Sequence, residues 1–496
     1  MSRWRINLVV KNQVQLITYP DSLGGNLNEL NFVLEKYFPG LFTGGIHILP
    51  PFPSSGDRGF APLTYLEIEP QFGTWDDIKR IGEKHAILLD LMVNHISAKS
   101  TYFQDFIENG RESKYSDLFI TVDKVWPDAK PVKAEIDKIF LRRAEPFSEF
   151  IIKKTGKIEK VWTTFGKTTP SEQIDLDVTS PKTKDLFTRF MKQFSEYGVK
   201  IVRLDAVGYV IKKRGSTCFF VEPEIDQYLG WISELANSLN IQILPELHAE
   251  YATQSRLARK GYWIYDFILP YTILDAFINK TSKRLKEYLK TRPLNQFTML
   301  DCYDGIPIKP DLNGLYQFED AIKVVDVCRK RGANFSLILS SEHKDSNGFD
   351  IHQIRGTIYS LLGCNDDLYL AARAIQFFTP GIPQVYYVGL LAGKNDEAAV
   401  SQTGDGREIN RHNFSIKEID EEIRKPVVMK LLRMIQFRNS HPAFNGTFKM
   451  NKCSDHEVSI TWTNQDKHAT LNVDLMNHSS MILYSDVSSD KELVFT

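Results

Sequence analysis

The chain has 496 residues and a formal net charge of −1. This balance leaves no basic footprint for nucleic acid or for an anionic membrane surface. The sequence has no run of about 18 apolar residues, no secretory signal and no CxxC pair among its five cysteines. We therefore expect a cytoplasmic protein that binds neither nucleic acid nor a membrane, and we predict a monomer or homodimer without a metal or a cofactor.

Eight apolar runs predict β-strands, and most of them are separated by segments with helical periodicity. Because alternating strands and helices are typical of parallel sheets, eight such units predict an α/β fold closed into a (β/α)8 TIM barrel. An open doubly wound sheet is the alternative, but no GxGxxG motif follows the first strand. The runs are QLITYP (15–20), GIHILP (45–50), ILLDLMV (87–93), KIVRLDA (200–206), IQILPE (241–246), WIYDF (263–267), QFTMLD (296–301) and PQVYYVG (383–389).

Local signals place helices between several of these runs. The tetrapeptide Thr74-Trp75-Asp76-Asp77 is a capping box that predicts a helix before the third run. Leu186, Phe190 and Phe194 repeat at helical spacing before the fourth run, and Gly198 is a plausible terminator. Both patterns support the alternation of strand and helix along the chain.

Two gaps between the runs are too long for simple loops. We expect residues 94–179 to form one inserted domain (B) and residues 306–363 a second (B′), leaving 1–93, 180–305 and 364–443 for the barrel. The alternating segment near the C-terminus predicts a small antiparallel β domain over 444–496. The predicted architecture is therefore a barrel with two insertions and a C-terminal β domain.

Three carboxylates end three predicted strands, namely Asp205, Glu246 and Asp304. Active sites of parallel barrels lie at the carboxyl ends of the strands, so these groups are candidates for catalysis. Two carboxylates in unlike surroundings are the minimal equipment for cleaving a glycosidic bond, and a third can balance positive charge. Arg203, two residues before Asp205, is predicted to hold that carboxylate in its ionised form.

Several motifs resemble those of the α-amylase superfamily, glycoside hydrolase family 13. Four short ones are LMVNH (91–95), RLDA (203–206), the glutamate after ILP (246) and LDCYDG (300–305). Longer stretches are similar to the sucrose phosphorylase branch: LITYPDSLGGNL (16–27), PPFPSSGDRGFAP (50–62), EQIDLDV (172–178), FFTPGIPQVYYVGLLAGKND (377–396) and GREINRHN (406–413). The resemblance covers about residues 14–445 and implies a hexosyltransferase of the phosphorylase type.

The resemblance also implies a role for each matching residue. Asp205 would be the nucleophile, Glu246 the general acid and then base, and Asp304 the stabiliser of the transition state. The residues expected to line the glucose pocket or lie beside it are Asp57, Phe60, His95, Gln173, Arg203, Tyr209 and Arg411. For His95 and Phe60, ordinary core packing is the alternative interpretation.

One position departs from the family pattern. Tyr303 stands before Asp304 where the superfamily usually has a histidine that hydrogen-bonds a glucose hydroxyl. A tyrosine hydroxyl can donate one such bond but reaches further, so the resemblance implies either slower catalysis or a shifted glucose.

The leaving group is expected to be set by the two insertions. Arg142 and His352 are similar to the pair in branch members that cleave sucrose 6′-phosphate, and Arg can bind phosphate through two parallel bonds. A solvated loop is the alternative for Arg142 and Arg143, and a surface position for His352. Further candidates for the fructosyl or phosphate group are Asp350, Gln353 and, more weakly, Lys344.

The implied reaction is retaining phosphorolysis of sucrose 6′-phosphate, through a covalent glucosyl-enzyme, to α-glucose 1-phosphate and fructose 6-phosphate. The nearest rival is a phosphorylase of unphosphorylated sucrose. Three more functions stay open at this point: a phosphorylase that uses glycerate or glycerol derivatives, an α-glucoside hydrolase, and a non-catalytic sugar-binding module.

Overall fold

The structure is a computed structural model that describes residues 11–248, 251–308, 318–338, 350–487 and 492–495. The chain divides into two compact units, each of which is described by itself. Unit 1 comprises Met1–His47, Leu247–Ser336 and Ile351–Thr496, and unit 2 comprises Ile48–Glu246 and Leu337–Asp350.

The strands are β1 (Gln15–Thr18), β2 (Ile46–Ile48), β3 (Ile87–Met92), β4 (His95–Ser97), β5 (Phe147–Ile151), β6 (Ile158–Trp162), β7 (Gln173–Asp175), β8 (Ile201–Asp205), β9 (Gln242–Pro245), β10 (Ile264–Asp266), β11 (Gln296–Thr298), β12 (Ile306–Pro307), β13 (Asn334–Leu337), β14 (Ile351–Arg355), β15 (Ile382–Tyr386), β16 (Thr447–Met450), β17 (Glu457–Asn464), β18 (Lys467–Asp474), β19 (Ser479–Ser485) and β20 (Glu492–Val494).

The α-helices are α1 (Leu27–Tyr37), α2 (Trp75–Gly82), α3 (Thr101–Asn109), α4 (Val122–Val125), α5 (Lys133–Ile136), α6 (Pro181–Glu196), α7 (Glu224–Ser238), α8 (Tyr251–Arg259), α9 (Leu269–Asn279), α10 (Lys283–Thr291), α11 (Phe318–Lys330), α12 (Ile358–Leu361), α13 (Asp366–Phe378), α14 (Tyr387–Leu390), α15 (Glu397–Thr403), α16 (Ile416–Glu422) and α17 (Pro426–Ser440). Among the described residues, no helix combines the length and apolar character needed to cross a membrane.

All eight predicted runs contain a strand of the parallel sheet system. In unit 1, β10, β11, β15 and β1 are hydrogen-bonded in that order, all parallel. In unit 2, β3, β8 and β9 are likewise parallel neighbours, while β2 lies where the two units divide. The last predicted run was too long, because α14 begins directly after β15.

Short-range signals in the sequence account for several helix ends. The capping box at the start of α2 is formed as predicted, with Thr74 and Asp77 each bonding the other's backbone N–H. Asn26 caps α1 by accepting from the N–H of Glu29 at 3.0 Å. Gly198 follows α6 with a φ of +80°, a left-handed conformation that is least costly for glycine.

The last strands form a five-stranded antiparallel sheet, β16 to β20 in sequence order. In β17, the side chains of Val458, Ile460 and Trp462 are buried and alternate with more exposed neighbours. The sheet confirms the antiparallel C-terminal element of the predicted fold. The predicted boundaries at 94–179, 306–363 and 444–496 stay predictions.

Candidate active site

Three carboxylates surround one guanidinium in unit 2, and we call this group the Arg203 cluster. Nη1 of Arg203 donates to Oδ1 of Asp90 at 2.5 Å and to Oδ1 of Asp205 at 2.8 Å. Nη2 of Arg203 lies 2.7 Å from Oε1 of Glu246. The structure thus brings together Arg203, Asp205 and Glu246, as the sequence predicts. Sequence reasoning missed Asp90, although a charge inside the apolar run ILLDLM (87–92) was a usable signal.

The Arg203 cluster contains three carboxylates and one guanidinium, and this imbalance affects the pKa of Asp205. Burial raises the pKa of the Asp205 carboxyl well above its usual range, and the charge of Glu246 raises that pKa further. Arg203 opposes both effects, so it does not by itself hold Asp205 ionised as the sequence suggested. Burial and the neighbouring negative charge therefore favour the protonated form of Asp205, and Arg203 favours its ionised form.

Glu246 is held by both of its carboxylate oxygens. It follows β9, and its N–H donates to the carbonyl of Leu204 at 3.1 Å. Oε1 contacts Arg203, while Oε2 accepts from the N–H of Ala206 at 2.8 Å. Ala206 has a φ of +55°, so the turn after β8 aims this N–H at the glutamate. The carboxyl is therefore oriented before any substrate binds.

His95 and Gln173 share one backbone acceptor in unit 2. Nε2 of His95 lies 2.9 Å from the carbonyl oxygen of Phe60, and Nε2 of Gln173 donates to the same oxygen at 3.3 Å. Antiparallel pairing of β4 with β7 places the two side chains close together. Burial lowers the pKa of His95 and favours a neutral ring, in which Nε2 donates and Nδ1 is the acceptor.

Two polar atoms of this pair are available to a ligand. Nδ1 of His95 and Oε1 of Gln173 are buried and have no hydrogen-bond partner among the residues that the structure describes. Buried polar atoms are costly to leave unsatisfied, so a hydroxyl-rich ligand is a suitable partner for both. The sugar contacts that the sequence predicted for these two residues stay a prediction.

An unusual turn sets the position of the Phe60 carbonyl. Asp57, Arg58 and Gly59 all have positive φ, at +51°, +52° and +103°. A Cβ atom at Gly59 would lie 2.6 Å from the carbonyl oxygen of Pro50, so no larger residue fits without a shift. Phe60 itself is buried, and Asp57 is half-buried and acts electrostatically on His95.

Arg142 and Arg143 have different surroundings. Arg143 donates to the carbonyl oxygens of Phe165 at 3.3 Å and Thr168 at 3.0 Å, so it fastens a loop. Arg142 makes no hydrogen bond to another described residue and lies beside Tyr209. Burial raises the pKa of Tyr209 to about 12, and the charge of Arg142 opposes this increase. Both arginines line a small pocket, together with Phe140, Leu141, Trp162 and Tyr209. Of the two arginines, Arg142 is therefore the one whose N–H donors are available to a ligand.

In unit 1, Asp304 is surrounded by cations, and we call this group the Asp304 cluster. Burial alone would raise the pKa of Asp304, but the charges of Arg407, His248, Arg411 and Arg355 outweigh it and lower the pKa to about 2. Nη1 of Arg407 lies 3.6 Å from Oδ1 of Asp304. Asp304 therefore stays ionised throughout the physiological range. Sequence reasoning missed the contributions of Arg407, His248 and Arg355, since it gave none of them a role.

Tyr303 contacts Arg411 through both its carbonyl oxygen and its ring. Nε of Arg411 donates to the Tyr303 carbonyl at 3.1 Å, and its guanidinium lies 5.8 Å from the Tyr303 ring centre. The rings of Tyr303 and Tyr19 meet edge to face at 6.2 Å. Asn410 donates to the carbonyl of Asp304 at 3.2 Å, which also fixes this segment. The Tyr303 ring is thus held by its contacts with Arg411 and Tyr19.

The remaining predicted residues lie in or next to β14. Gln353 is buried, and its Nε2 lies 3.3 Å from Nδ1 of His248. His352 is half-buried, with its carbonyl accepting from Ile308 at 3.2 Å. Asp350 belongs to unit 2, where its carbonyl accepts from the N–H of Ile338 at 2.7 Å. Lys344 lies outside the described residues.

Comparison with known families agrees with this geometry. Residues 18–267 match the family model described as alpha amylase, catalytic domain. The chain belongs to the alpha-amylase family. Within it, the sucrose 6(F)-phosphate phosphorylase of Thermoanaerobacterium thermosaccharolyticum is 60% identical over 484 residues, which are 98% of this chain and 99% of the relative. The sucrose phosphorylase of Streptococcus mutans is 42% identical over 456 residues, covering 92% of this chain and 93% of the relative.

A solved structure extends the agreement to the fold. The crystal structure of sucrose 6F-phosphate phosphorylase from Thermoanaerobacter thermosaccharolyticum matches with a TM-score of 0.96 at 60% identity. The match covers 98% of each chain. It confirms the predicted fold class, a (β/α)8 barrel of the alpha-amylase type with a C-terminal antiparallel β domain.

Proposed function

We propose that the protein is a retaining glucosyl phosphorylase that cleaves sucrose 6′-phosphate with inorganic phosphate to α-glucose 1-phosphate and fructose 6-phosphate. The observation that carries the proposal is the 60% identity, over nearly the full length of both chains, to a sucrose 6(F)-phosphate phosphorylase. The residue roles are part of the proposal and are supported by the geometry of the two clusters.

In the first half-reaction, the ionised Asp205 attacks the anomeric carbon of the glucosyl unit. Glu246, the proposed general acid, donates a proton to the departing fructosyl oxygen. The bond from glucose to fructose breaks as the glucosyl ester of Asp205 forms, which is the course of a retaining enzyme. The contacts of Glu246 with Arg203 and Ala206 keep its carboxyl oriented for this transfer.

In the second half-reaction, inorganic phosphate takes the place of fructose 6-phosphate. Glu246, now ionised, accepts a proton from the phosphate as a phosphate oxygen attacks the anomeric carbon. The ester bond to Asp205 breaks, and α-glucose 1-phosphate leaves. Asp304, ionised because of its surrounding cations, stabilises the positive charge that develops on the sugar in both steps.

The glucose would be held by the polar atoms that the protein leaves unused. Nδ1 of His95 and Oε1 of Gln173 are buried acceptors for sugar hydroxyls. Asp57, Phe60, Tyr209 and Arg411 are also assigned to the glucose, on the basis of the family resemblance. No cofactor or metal takes part in these steps.

Arg142 is the proposed contact for the phosphate on the fructosyl unit. It lines a pocket beside Tyr209 and has free donors, while Arg143 is occupied with the loop 163–168. We assign His352, Asp350 and Gln353 to the same end of the substrate. The nearest rival is phosphorolysis of unphosphorylated sucrose, which is favoured by the 42% identity to a sucrose phosphorylase.

Cellular context completes the proposal. All five cysteines of the chain are free thiols, which is typical of a reducing compartment, so we propose a cytoplasmic location. The proposed site uses small-molecule substrates, and we keep the prediction of a monomer or homodimer.

The decisive experiment is release of glucose 1-phosphate from sucrose and from sucrose 6′-phosphate, each with and without inorganic phosphate. We expect phosphate-dependent release with a strong preference for the phosphorylated sugar. Equal or better use of sucrose would favour the rival. Glucose formed without dependence on phosphate would identify a hydrolase and overturn the proposal.

A further inference from the structure

A buried lysine in unit 2 has no place in the proposed reaction steps. The side chain of Lys212 is 2% exposed, and its partner Asp175 is 0% exposed. The ammonium lies 2.7 Å from Oδ2 of Asp175 and donates to Oδ1 of Asn94 at 2.9 Å and to the carbonyl of Tyr209. An ammonium has three N–H donors, so these three oxygens satisfy it completely. Burying a charge is costly unless it is paired and hydrogen-bonded, so these contacts are what allow a lysine to be buried here.

Each of the three acceptors adjoins a residue of the proposed sugar site. Asn94 immediately precedes His95, and Asp175 lies opposite His95 in the pairing of β4 with β7. Tyr209, whose own carbonyl is the third acceptor, follows the strand that ends in Asp205. Lys212 therefore joins three chain segments that are far apart in sequence, and each carries a group assigned to the glucose.

The surroundings of Asp175 make the arrangement rigid. Its carboxylate also accepts from the N–H of Thr164 at 2.8 Å and from the hydroxyl of Thr164 at 2.5 Å. The ring centre of Trp162 lies 5.6 Å from the Lys212 nitrogen, within the range of a cation–π contact. The ammonium is thus enclosed by oxygens and an aromatic face.

We propose that Lys212 is a positioning residue for glucosyl transfer, which fixes His95, Tyr209 and the β7 segment through one buried ammonium. This inference rests on the proposed function, because it concerns the same sugar site. Lys212 does not touch the reacting atoms. Its effect on the reaction is to place the groups that hold the glucose.

The charge of Lys212 has a second consequence, for the protonation of His95. The charged groups that face His95 are Asp175, Asp57 and Lys212, with the Phe60 carbonyl at Nε2 and the Phe165 ring beside it. Burial is the largest cause of the lowered pKa of His95, the two aspartates oppose it, and Lys212 adds to the lowering. Removing Lys212 leaves the aspartates uncompensated, so His95 becomes protonated at a higher pH.

The test compares Lys212→Met with the double variant Asp175→Asn/Lys212→Met and with Lys213→Met. Lys213 is a matched control, since it is adjacent but exposed and paired with Glu224. We expect Lys212→Met to lose about 100-fold in kcat/KM, the scale of a group misplaced by about 1 Å. The acid limb of its pH profile should move to higher pH, whereas the double variant, which also lacks the charge of Asp175, should reverse that shift.

A titration of His95 by nuclear magnetic resonance, assigned with His95→Gln, separates this inference from the proposed function. It needs no substrate, and we expect His95 to titrate at higher pH in Lys212→Met than in the wild type. A wild type without phosphorolysis but with this shift would overturn the proposed function alone. A folded Lys212→Met variant with an unshifted titration and kcat/KM equal to that of Lys213→Met would overturn the role of Lys212.

Discussion

The Arg203 cluster and the Asp304 cluster place the same type of side chain in opposite electrostatic surroundings. In the Arg203 cluster, one guanidinium faces Asp90, Asp205 and Glu246, and the pKa of Asp205 is raised. In the Asp304 cluster, several cations face one carboxylate, whose pKa is lowered to about 2. Burial acts in the same direction on both aspartates, so the neighbouring charges decide the outcome.

The two clusters therefore give their buried aspartates different protonation behaviour. The raised pKa of Asp205 favours its protonated form, whereas the lowered pKa of Asp304 keeps that carboxylate ionised and able to balance positive charge. Four predictions test this division, from the largest expected effect to the smallest.

Asp205→Asn should abolish phosphorolysis, with a loss of at least about 10,000-fold in kcat, as for loss of a nucleophile. The fold should persist, because the substitution removes one of several buried negative charges around Arg203. Glucose 1-phosphate release and thermal unfolding measure the two effects. Near-normal turnover in this variant would mean that Asp205 is not the nucleophile.

Arg142→Ala should weaken use of sucrose 6′-phosphate by about 10- to 100-fold while changing use of sucrose little, since one or two charge-assisted bonds are lost. His352→Tyr should act in the same direction. Arg143→Ala is the control, and it should impair both substrates alike because Arg143 fastens the loop 163–168. If Arg142→Ala lost equal activity on sucrose 6′-phosphate and on sucrose, Arg142 would not be a contact for the 6′-phosphate.

Tyr303→Phe should lower kcat/KM about tenfold if the hydroxyl donates to the glucose, the value of one neutral hydrogen bond. The ring contacts with Tyr19 and Arg411 are retained in this variant, so stability should change little. Steady-state kinetics alongside thermal unfolding give both numbers. An unchanged kcat/KM would limit Tyr303 to the packing of Arg411.

Asp304→Asn should reduce stability near neutral pH by about 2 kcal/mol, besides its effect on catalysis. The pKa of Asp304 is lower in the folded chain than in the unfolded one, so its contribution is present above about pH 4. That contribution disappears as the pH falls toward 2. The difference in unfolding free energy between the variant and the wild type should therefore be smaller at pH 3 than at pH 7. An equal difference at both pH values would contradict the lowered pKa.

Much of the fold was predictable because local patterns determine it. Buried parallel strands give apolar runs, and the capping box of Thr74 and Asp77 is a short-range signal, so the eight strands and α2 were found. The end of β15 was misjudged, since the apolar residues of α14 continue the run without a break. Periodicity alone cannot distinguish a buried strand from a buried short helix.

The candidate site was predictable where charge follows a strand and less so elsewhere. Arg203 and Asp205 share one strand, and motif resemblance supplied most of the other named residues. Lys212 carried no signal, since a lysine in a loop usually lies in solvent and two of its three acceptors, Asn94 and Asp175, come from distant segments. The unequal roles of Arg142 and Arg143 also depend on contacts with the loop 163–168, which neighbouring sequence does not indicate.

The shared acceptor of His95 and Gln173 has a consequence for how the family can vary. Because that acceptor is the backbone oxygen of Phe60, every side chain at position 60 would still supply it. Its place depends instead on Gly59, where any Cβ would meet the carbonyl of Pro50. The position of this acceptor is therefore sensitive to substitution at Gly59, one residue away from the bond that it controls.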